Sequence, residues 1–427
     1  MSGVSLRLAV VGAGWAGLAA AVSATRAGHR VTLHEASRQI GGRARTLSLR
    51  LPDGSTANVD NGQHIFIGAY REVLALMRLA GVEPREVLHR MPLTLRFPDG
   101  RGLALPSWPT PLDAAWGIAS ARGWSIRDKV SLVRHALGWQ LRRFRCADTC
   151  SVAQLCEGLS PRVLHDLVEP LCVAALNIPA HRASAGVFLR VLQDGLFGPP
   201  SGGWGASNLL IPKVDLARVL PDAAVRWLEA HGARVRTAAR VRALQRQGEG
   251  WLVDGEGFDA VVLACPPWDA ERLVAGSGVP APDWLRDAGG LAHEAIATVY
   301  ATGGPRLPLP MLALHHRPDA PAQFVFDRGQ LGGPAGLLGF VISASQGDAA
   351  TIERQVVTQA HALGWPVQPV RTVVEKRATF ACTPGLRRPA MRIGPGLLAC
   401  GDYVDGPYPA TLEGAVRSAQ SAVAALP

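Results

Sequence analysis

Residues 6–35 read "LRLAVVGAGWAGLAAAVSATRAGHRVTLHE". The branched, apolar run 6–11 has the pattern of a buried parallel strand. "GAGWAG" follows at once, and the alanine-rich stretch 18–28 predicts a helix ended by Gly28. A second apolar run, 30–35, closes on an acid. Strand, helix and strand in this order make a βαβ unit. Gly12 permits the tight turn, Gly14 lets the backbone approach a pyrophosphate, and Gly17 lets helix and strand pack closely. With Ala13, Trp15 and Ala16 they present a helix N-terminus to phosphate, with its free N–H groups and positive dipole end. Glu35, followed by Ala36, lies where a carboxylate accepts hydrogen bonds from a ribose diol and repels a 2′-phosphate. The stretch predicts a dinucleotide site in a Rossmann-type α/β fold.

Composition bounds the rest. The chain has 427 residues, more than one core usually serves, and is 48% hydrophobic. Residues 8–24 carry no charge, yet glycines at GxGxxG spacing behind a strand-like run argue against a membrane span or a signal peptide. Net charge is +10 and the pI about 9.8, carried almost wholly by arginine. Such a charge suits an anionic partner, and a bias toward arginine in coding would produce it equally. Nucleic acid is not expected, because the arginines are dispersed and no stacking motif appears. Seven cysteines without a CxxC pair argue for a reducing, cytoplasmic setting and against a disulfide framework or a zinc site. No metal is expected.

Two further motifs extend the first. Behind Glu35, "GGRAR" offers a backbone nest at Gly41-Gly42 and positive charge at Arg43 and Arg45, with Ala44 between them. Near the other end, "GLLAC" (396–400) reads as a buried strand, Gly401-Asp402 ends it, and "PATLEGAVRS" opens a helix near Thr411. The set resembles the flavin amine oxidase and phytoene desaturase superfamily. That resemblance implies FAD as cofactor, with the GGR block at its pyrophosphate and ribityl region. It implies that Asp402, after Gly401, binds a ribityl hydroxyl. It also implies that the helix start at Pro409, Ala410, Thr411 and Leu412 points N–H groups at the flavin pyrimidine end. There a helix N-terminus would stabilise the negative charge of a reduced flavin. By the same resemblance the backbone of Val241, taken as a strand residue, meets the adenine.

The expected architecture is a discontinuous FAD-binding domain, residues 1–75, 203–275 and 385–427. A mixed helical and β substrate domain, residues 76–202 and 276–384, would complete it, with the active site at their junction. The turn "VDNGQHIFIGAY" (59–70) matches the superfamily turn that brings a glycine under the flavin ring. It places Gly62, Gln63 and His64 against the cofactor. His64 is the candidate proton donor and Asp60 the alternative. A histidine that only hydrogen-bonds cofactor or backbone is the plainer reading.

"DNGQHIFIGAY", "EPLCVAALNIPAHRAS" (169–184), "LLIPKVDLARVLPDAA" (209–224) and the C-terminal motif together resemble one branch, the squalene-associated FAD enzymes or hydroxysqualene dehydroxylases. The resemblance implies reductive dehydroxylation of a C30 isoprenoid alcohol in squalene and hopanoid biosynthesis, with reducing equivalents from a donor the motifs do not identify. A polyene desaturase is the alternative; an amine oxidase or a non-catalytic flavin-binding protein stands further off. An oily substrate suggests peripheral contact with the inner face of the cell membrane. In 128–145, Val130, Val133, Leu137, Leu141 and Phe144 are expected on one helical face, with Arg134, Arg142 and Arg145 opposite. Packing of that apolar face on the core is the ordinary alternative.

Overall fold

β1 (Arg7–Val11) lies between β2 (Arg30–His34) and the strand Ala260–Leu263, parallel to both. These relations come from a computed structural model, which describes residues 5–109, 111–198 and 203–426. The junction expected at residue 202 lies outside the described residues. Parallel pairing adds Arg234–Arg236 beside β2 and Leu397–Ala399 beside Ala260–Leu263, and antiparallel Arg392–Gly394 completes a six-stranded sheet. Three distant parts of the chain thus meet in one sheet.

Side chains alternate along a strand, so β1 serves two cores. Leu8 and Val10 share a cluster with Leu18 and Val22 of α1 (Trp15–Arg26) and with Val416 and Ala419 of the final helix, Leu412–Ala424. Ala9 and Val11 share the opposite cluster with Trp251 and Phe258, from a three-stranded antiparallel meander over residues 244–258. Coverage on both faces explains the unbroken apolar run that a parallel strand requires.

A second, five-stranded antiparallel sheet has the spatial order Met311–Ala313, Phe324–Asp327, Leu338–Ser343, His293–Thr302 and Gln368–Phe380. Helix Ala349–Ala362 covers one face through Ile352, Val356 and Ala360. On the other face, Phe324, Phe326 and Val341 join Leu95, Phe97 and Ile211 in an apolar cluster. Ile65 and Ile67, from the 59–70 turn, pack against that cluster. The turn therefore stands between the second sheet and the loops of the first.

The last helix holds the turn's exit. Glu413, fully buried in its first turn, accepts the N–H groups of Glu72 and Val73, each at 3.1 Å. Those are the second and third N–H groups of helix Arg71–Leu79, whose own N-cap, Tyr70, makes no side-chain cap. Burial pushes the Glu413 carboxyl up from its usual range, against the pull of the two N–H groups and Arg417.

Three expectations change. Val241 lies in the connection between Arg234–Arg236 and Leu244–Gln247, not in a strand. The amphipathic helix runs Ile126–Leu141 and stops before Phe144: Arg143 and Phe144 take left-handed backbone angles, and Phe144 packs against Phe197. The helix also buries the face opposite to its apolar stripe, through Leu132 and Trp139, while Val130, Val133, Leu137 and Leu141 face solvent. Arginines therefore do not occupy the far face. Among the described residues no helix is long and apolar enough to cross a membrane. All seven cysteines are free thiols, and burial pushes Cys156, Cys265 and Cys382 up to about 12.

Replacing Glu413 with Ala leaves two helix N–H groups in a dry environment without an acceptor. We expect a loss of about 1–3 kcal/mol in folding stability. Denaturant unfolding should show it as a lower midpoint with an unchanged slope.

Candidate active site

Four loops converge above the carboxyl edge of the six-stranded sheet. The first is the turn from β1 into α1. Gly12 has φ +106°, its N–H bonds the carbonyl of His34, and a Cβ there would lie 2.8 Å from the carbonyl oxygen of Ala264. A Cβ on Gly17 would lie 1.7 Å from the carbonyl oxygen of Gly12, so helix and strand meet at a separation only glycine allows. At Gly14 the nearest such neighbour is Gly42 Cα at 3.8 Å, and the turn stays open on that side. α1 is capped at Gly14 by no side chain and carries no acid in its first turn, so its N-terminus is free to meet an anion.

The second loop clasps the first. The Gly41 N–H bonds the carbonyl of Ala13, Gly14 and Gly41 form a parallel bridge, and Gly42 has φ +63°. Trp15 Nε1 donates to the carbonyl of Ala44 at 3.3 Å. The Glu35 carboxylate accepts N–H bonds from Ala13 at 2.7 Å and Ser37 at 2.8 Å. It stays partly exposed, with acceptor capacity left over. Next to it, Ala239 donates to the Glu35 carbonyl and Glu35 to that of Arg236, which brings the 236–241 connection beside the carboxylate. The Val241 carbonyl accepts from Arg272 at 3.1 Å.

The third loop is the C-terminal one. Asp402, 8% exposed, forms an ion pair with Arg43, whose other terminal nitrogen donates to the carbonyl of Ala378 at 2.8 Å. Gly401 is held by Ser418, and Ala410, at φ +56°, returns an N–H to the carbonyl of Asp402. Pro409 is buried there, and Thr411 caps the helix that starts at Leu412 by accepting the Gly414 N–H at 2.9 Å. Tyr403 is buried with its hydroxyl unpartnered, and burial drives its pKa well above the usual phenol value.

The fourth loop is the 59–70 turn. Asn61 and Arg45 exchange bonds, side chain to backbone and backbone to backbone, which ties this turn to the second loop. Asp60 ends the strand Thr56–Asp60 and is 1% exposed. Its Oδ2 accepts the His64 backbone N–H at 3.3 Å and lies 3.7 Å from His64 Nδ1. Asp60 Oδ1 and His64 Nδ1 are both buried without a hydrogen bond. Beside Gly62 an added Cβ would come no nearer than 3.7 Å to His64 Cε1, so this side of the turn has room.

Sequence reasoning missed what stands behind that turn. Gln63 donates at 2.7 Å to the Tyr300 hydroxyl, which donates at 2.6 Å to the carbonyl of Asp60. Arg328, 2% exposed, reaches Gln63 Oε1 at 3.4 Å and leaves its Nε unpartnered. Burial raises the Tyr300 pKa, with the Asp60 charge adding to it. A lone tyrosine in the apolar strand 293–302 and a lone arginine after "FVFD" were the available signals. Neither His165, Asp166 nor His315, the one grouping of ligand-type side chains among the described residues, belongs to these loops.

An open glycine turn, an uncapped helix N-terminus, a ring of loops and several buried polar atoms with no protein partner fit a dinucleotide with a second polar head. The fold and the site define an FAD-dependent oxidoreductase. The family described as flavin containing amine oxidoreductase matches residues 15–302. Hydroxysqualene dehydroxylase of Rhodopseudomonas palustris is 31% identical over 97% of this chain and 96% of its own. The enzyme of the same name from Sinorhizobium fredii is 28% identical over the same shares. A putative protoporphyrinogen oxidase structure from Exiguobacterium superposes with a TM-score of 0.67 at 18% identity, covering 99% of this chain and 98% of that one, and shows the shared fold. The chain belongs to the flavin-containing amine oxidoreductase family and, within it, to the hydroxysqualene dehydroxylase group.

Gly17→Ala tests the glycine contact. The added methyl must move the Gly12 carbonyl out of the turn. We expect overpacking to cost about 1–3 kcal/mol. Purified protein should carry less FAD than wild type, read as the ratio of flavin to protein absorbance.

Proposed function

We propose that this protein reduces hydroxysqualene, a C30 allylic alcohol, to squalene at the expense of reduced FAD. The similarity over nearly the whole chain to hydroxysqualene dehydroxylases carries the reading. The apolar cluster on which Ile65 and Ile67 of the His64 turn pack supports it, because a polyene offers little else to bind. Residues 1–75, 203–275 and 385–427 serve as the FAD domain, and 76–202 and 276–384 as the substrate domain.

In this reading the residues from Gly12 to Gly17, including Ala13, Trp15 and Ala16, face the pyrophosphate. Glu35 and Ala36 take the ribose, and the connection at Val241 takes the adenine. Gly42, Arg43, Ala44 and Arg45 line the pyrophosphate and ribityl stretch, and Asp402, beside Gly401, takes a ribityl hydroxyl. Pro409, Ala410, Thr411 and Leu412 meet the flavin's pyrimidine end, and Gly62 and Gln63 its ring. Bound and reduced, FAD supplies the hydride that replaces the hydroxyl at carbon.

The protein must move one proton. His64 Nδ1 faces Asp60, which leaves Nε2 to give a proton to the departing oxygen as the C–O bond breaks and water forms. The buried Asp60 carboxylate favours the positive charge that develops on the allylic carbon. Gln63, Tyr300 and Arg328 hold the turn that carries both groups. Such a substrate dissolves in membranes, so the enzyme works at the inner face of the cell membrane. Running the redox step in the opposite sense would make a polyene desaturase.

Anaerobic incubation of dithionite-reduced holoprotein with hydroxysqualene in detergent should yield squalene; unchanged alcohol would overturn the proposal. His64→Asn should keep its flavin spectrum and FAD content while dehydroxylation slows at least about a hundredfold. If His64→Asn turns over normally and Asp60→Asn does not, the acid is Asp60.

A further inference from the structure

Ten large apolar side chains among the described residues are strongly exposed, and eight of them lie between Trp108 and Leu141. Such clustering on one short stretch marks a contact surface. Ile126, Val130, Val133, Leu137 and Leu141 follow a spacing of three and four, so they form one stripe along helix Ile126–Leu141. Its ends are the most exposed, at 80% for Ile126 and 86% for Leu141. The stripe runs for about 22 Å at the rise of an α-helix. The helix is fixed from behind by Leu132 and Trp139, and it begins at a capping box between Ser125 and Asp128. Its outward face is therefore a settled feature and not a frayed one. Lys129 Nζ donates at 2.5 Å to the carbonyl of Ala119, the last residue of helix Leu112–Ala119. That helix carries exposed Trp116, whose ring lies 5.4 Å from that of exposed Trp108.

Charge selects the occupant. From Arg122 to Arg145 there are seven basic residues and one acid, Asp128, which the capping box engages. Arg127 and Arg134 are exposed along one border of the stripe, and Arg142, Arg143 and Arg145 are exposed beyond its end. A second copy would bring like charges together. An anionic bilayer offers both an apolar interior and a negative rim, and tryptophan belongs at the boundary between them.

We propose that helix Ile126–Leu141, with the exposed Trp108 and Trp116, forms an insertion surface that lies flat in the interface of an anionic lipid bilayer. The proposal rests on the reading of the substrate as a membrane-dissolved isoprenoid, and it adds the element that meets the membrane. Arginine heads stay with the lipid phosphates while the stripe enters the acyl boundary.

Vesicle sedimentation of the FAD-loaded full chain tests it, with phosphatidylglycerol in phosphatidylcholine against phosphatidylcholine alone. Binding should need the anionic lipid and weaken with salt. The paired change Val130→Glu and Leu137→Glu touches exposed positions only and should lower the partition coefficient at least about tenfold. Arg134→Gln and Arg142→Gln should each lower it about fivefold. FAD content, thermal midpoint and dehydroxylation in detergent should stay at wild-type values in all three proteins. Absence of binding at low salt, or equal binding by the paired glutamate variant, would overturn the surface. So would a dimer in solution that the same variant dissociates. Detergent activity separates the two readings: an enzyme active in detergent that ignores vesicles loses the surface and keeps the reaction.

Discussion

The carbonyl oxygen of Gly12 sits where a Cβ on Gly17 would be, and much else in the molecule follows from that closeness. It sets how tightly α1 lies on β1. It also aims an uncapped helix N-terminus along the carboxyl edge of the sheet. The second glycine loop can then lie directly on the first, because Gly41 bonds Ala13 and Gly42 takes a left-handed angle against Gly14. A side chain at Gly17 or Gly42 would push the helix off the strand or the two loops apart.

A second constraint spans the chain. Arg43 and Asp402 are 359 residues apart in sequence, and their ion pair joins the N-terminal clasp to the loop before the last helix. Glu413, in the first turn of that last helix, repeats the arrangement by capping the helix that follows the 59–70 turn. The C-terminal segment therefore does more than close over a ligand. It also holds the exit of the turn that carries Asp60 and His64, so the glycine loops and that turn share their supports.

The buried polar groups around that turn are costly in an apolar setting unless they have work to do. Asp60, Tyr300, Gln63 and Arg328 form a chain of bonds that is incomplete at both ends, at Asp60 Oδ1 and Arg328 Nε. A purely structural network would tend to satisfy both ends. The turn that carries these open valences packs through Ile65 and Ile67 on a buried apolar cluster, so their surroundings are dry.

By itself the sequence determined the βαβ unit, the tight turn at Gly12, the close packing at Gly17 and the C-terminal helix start, because each depends on local backbone conformation and short-range periodicity. It also marked the turn that carries Asp60 and His64, through its place in a longer pattern. Only the tertiary structure decided what joins across distance: Arg43 with Asp402, Glu413 with Glu72 and Val73, and Tyr300 and Arg328 behind Gln63. Those pairings depend on strand order, which local patterns do not encode. The same holds for the helix Ile126–Leu141. Periodicity identifies an apolar stripe, but which face a helix buries is set by the surface beneath it, and here Leu132 and Trp139 take the core while the stripe is left outside.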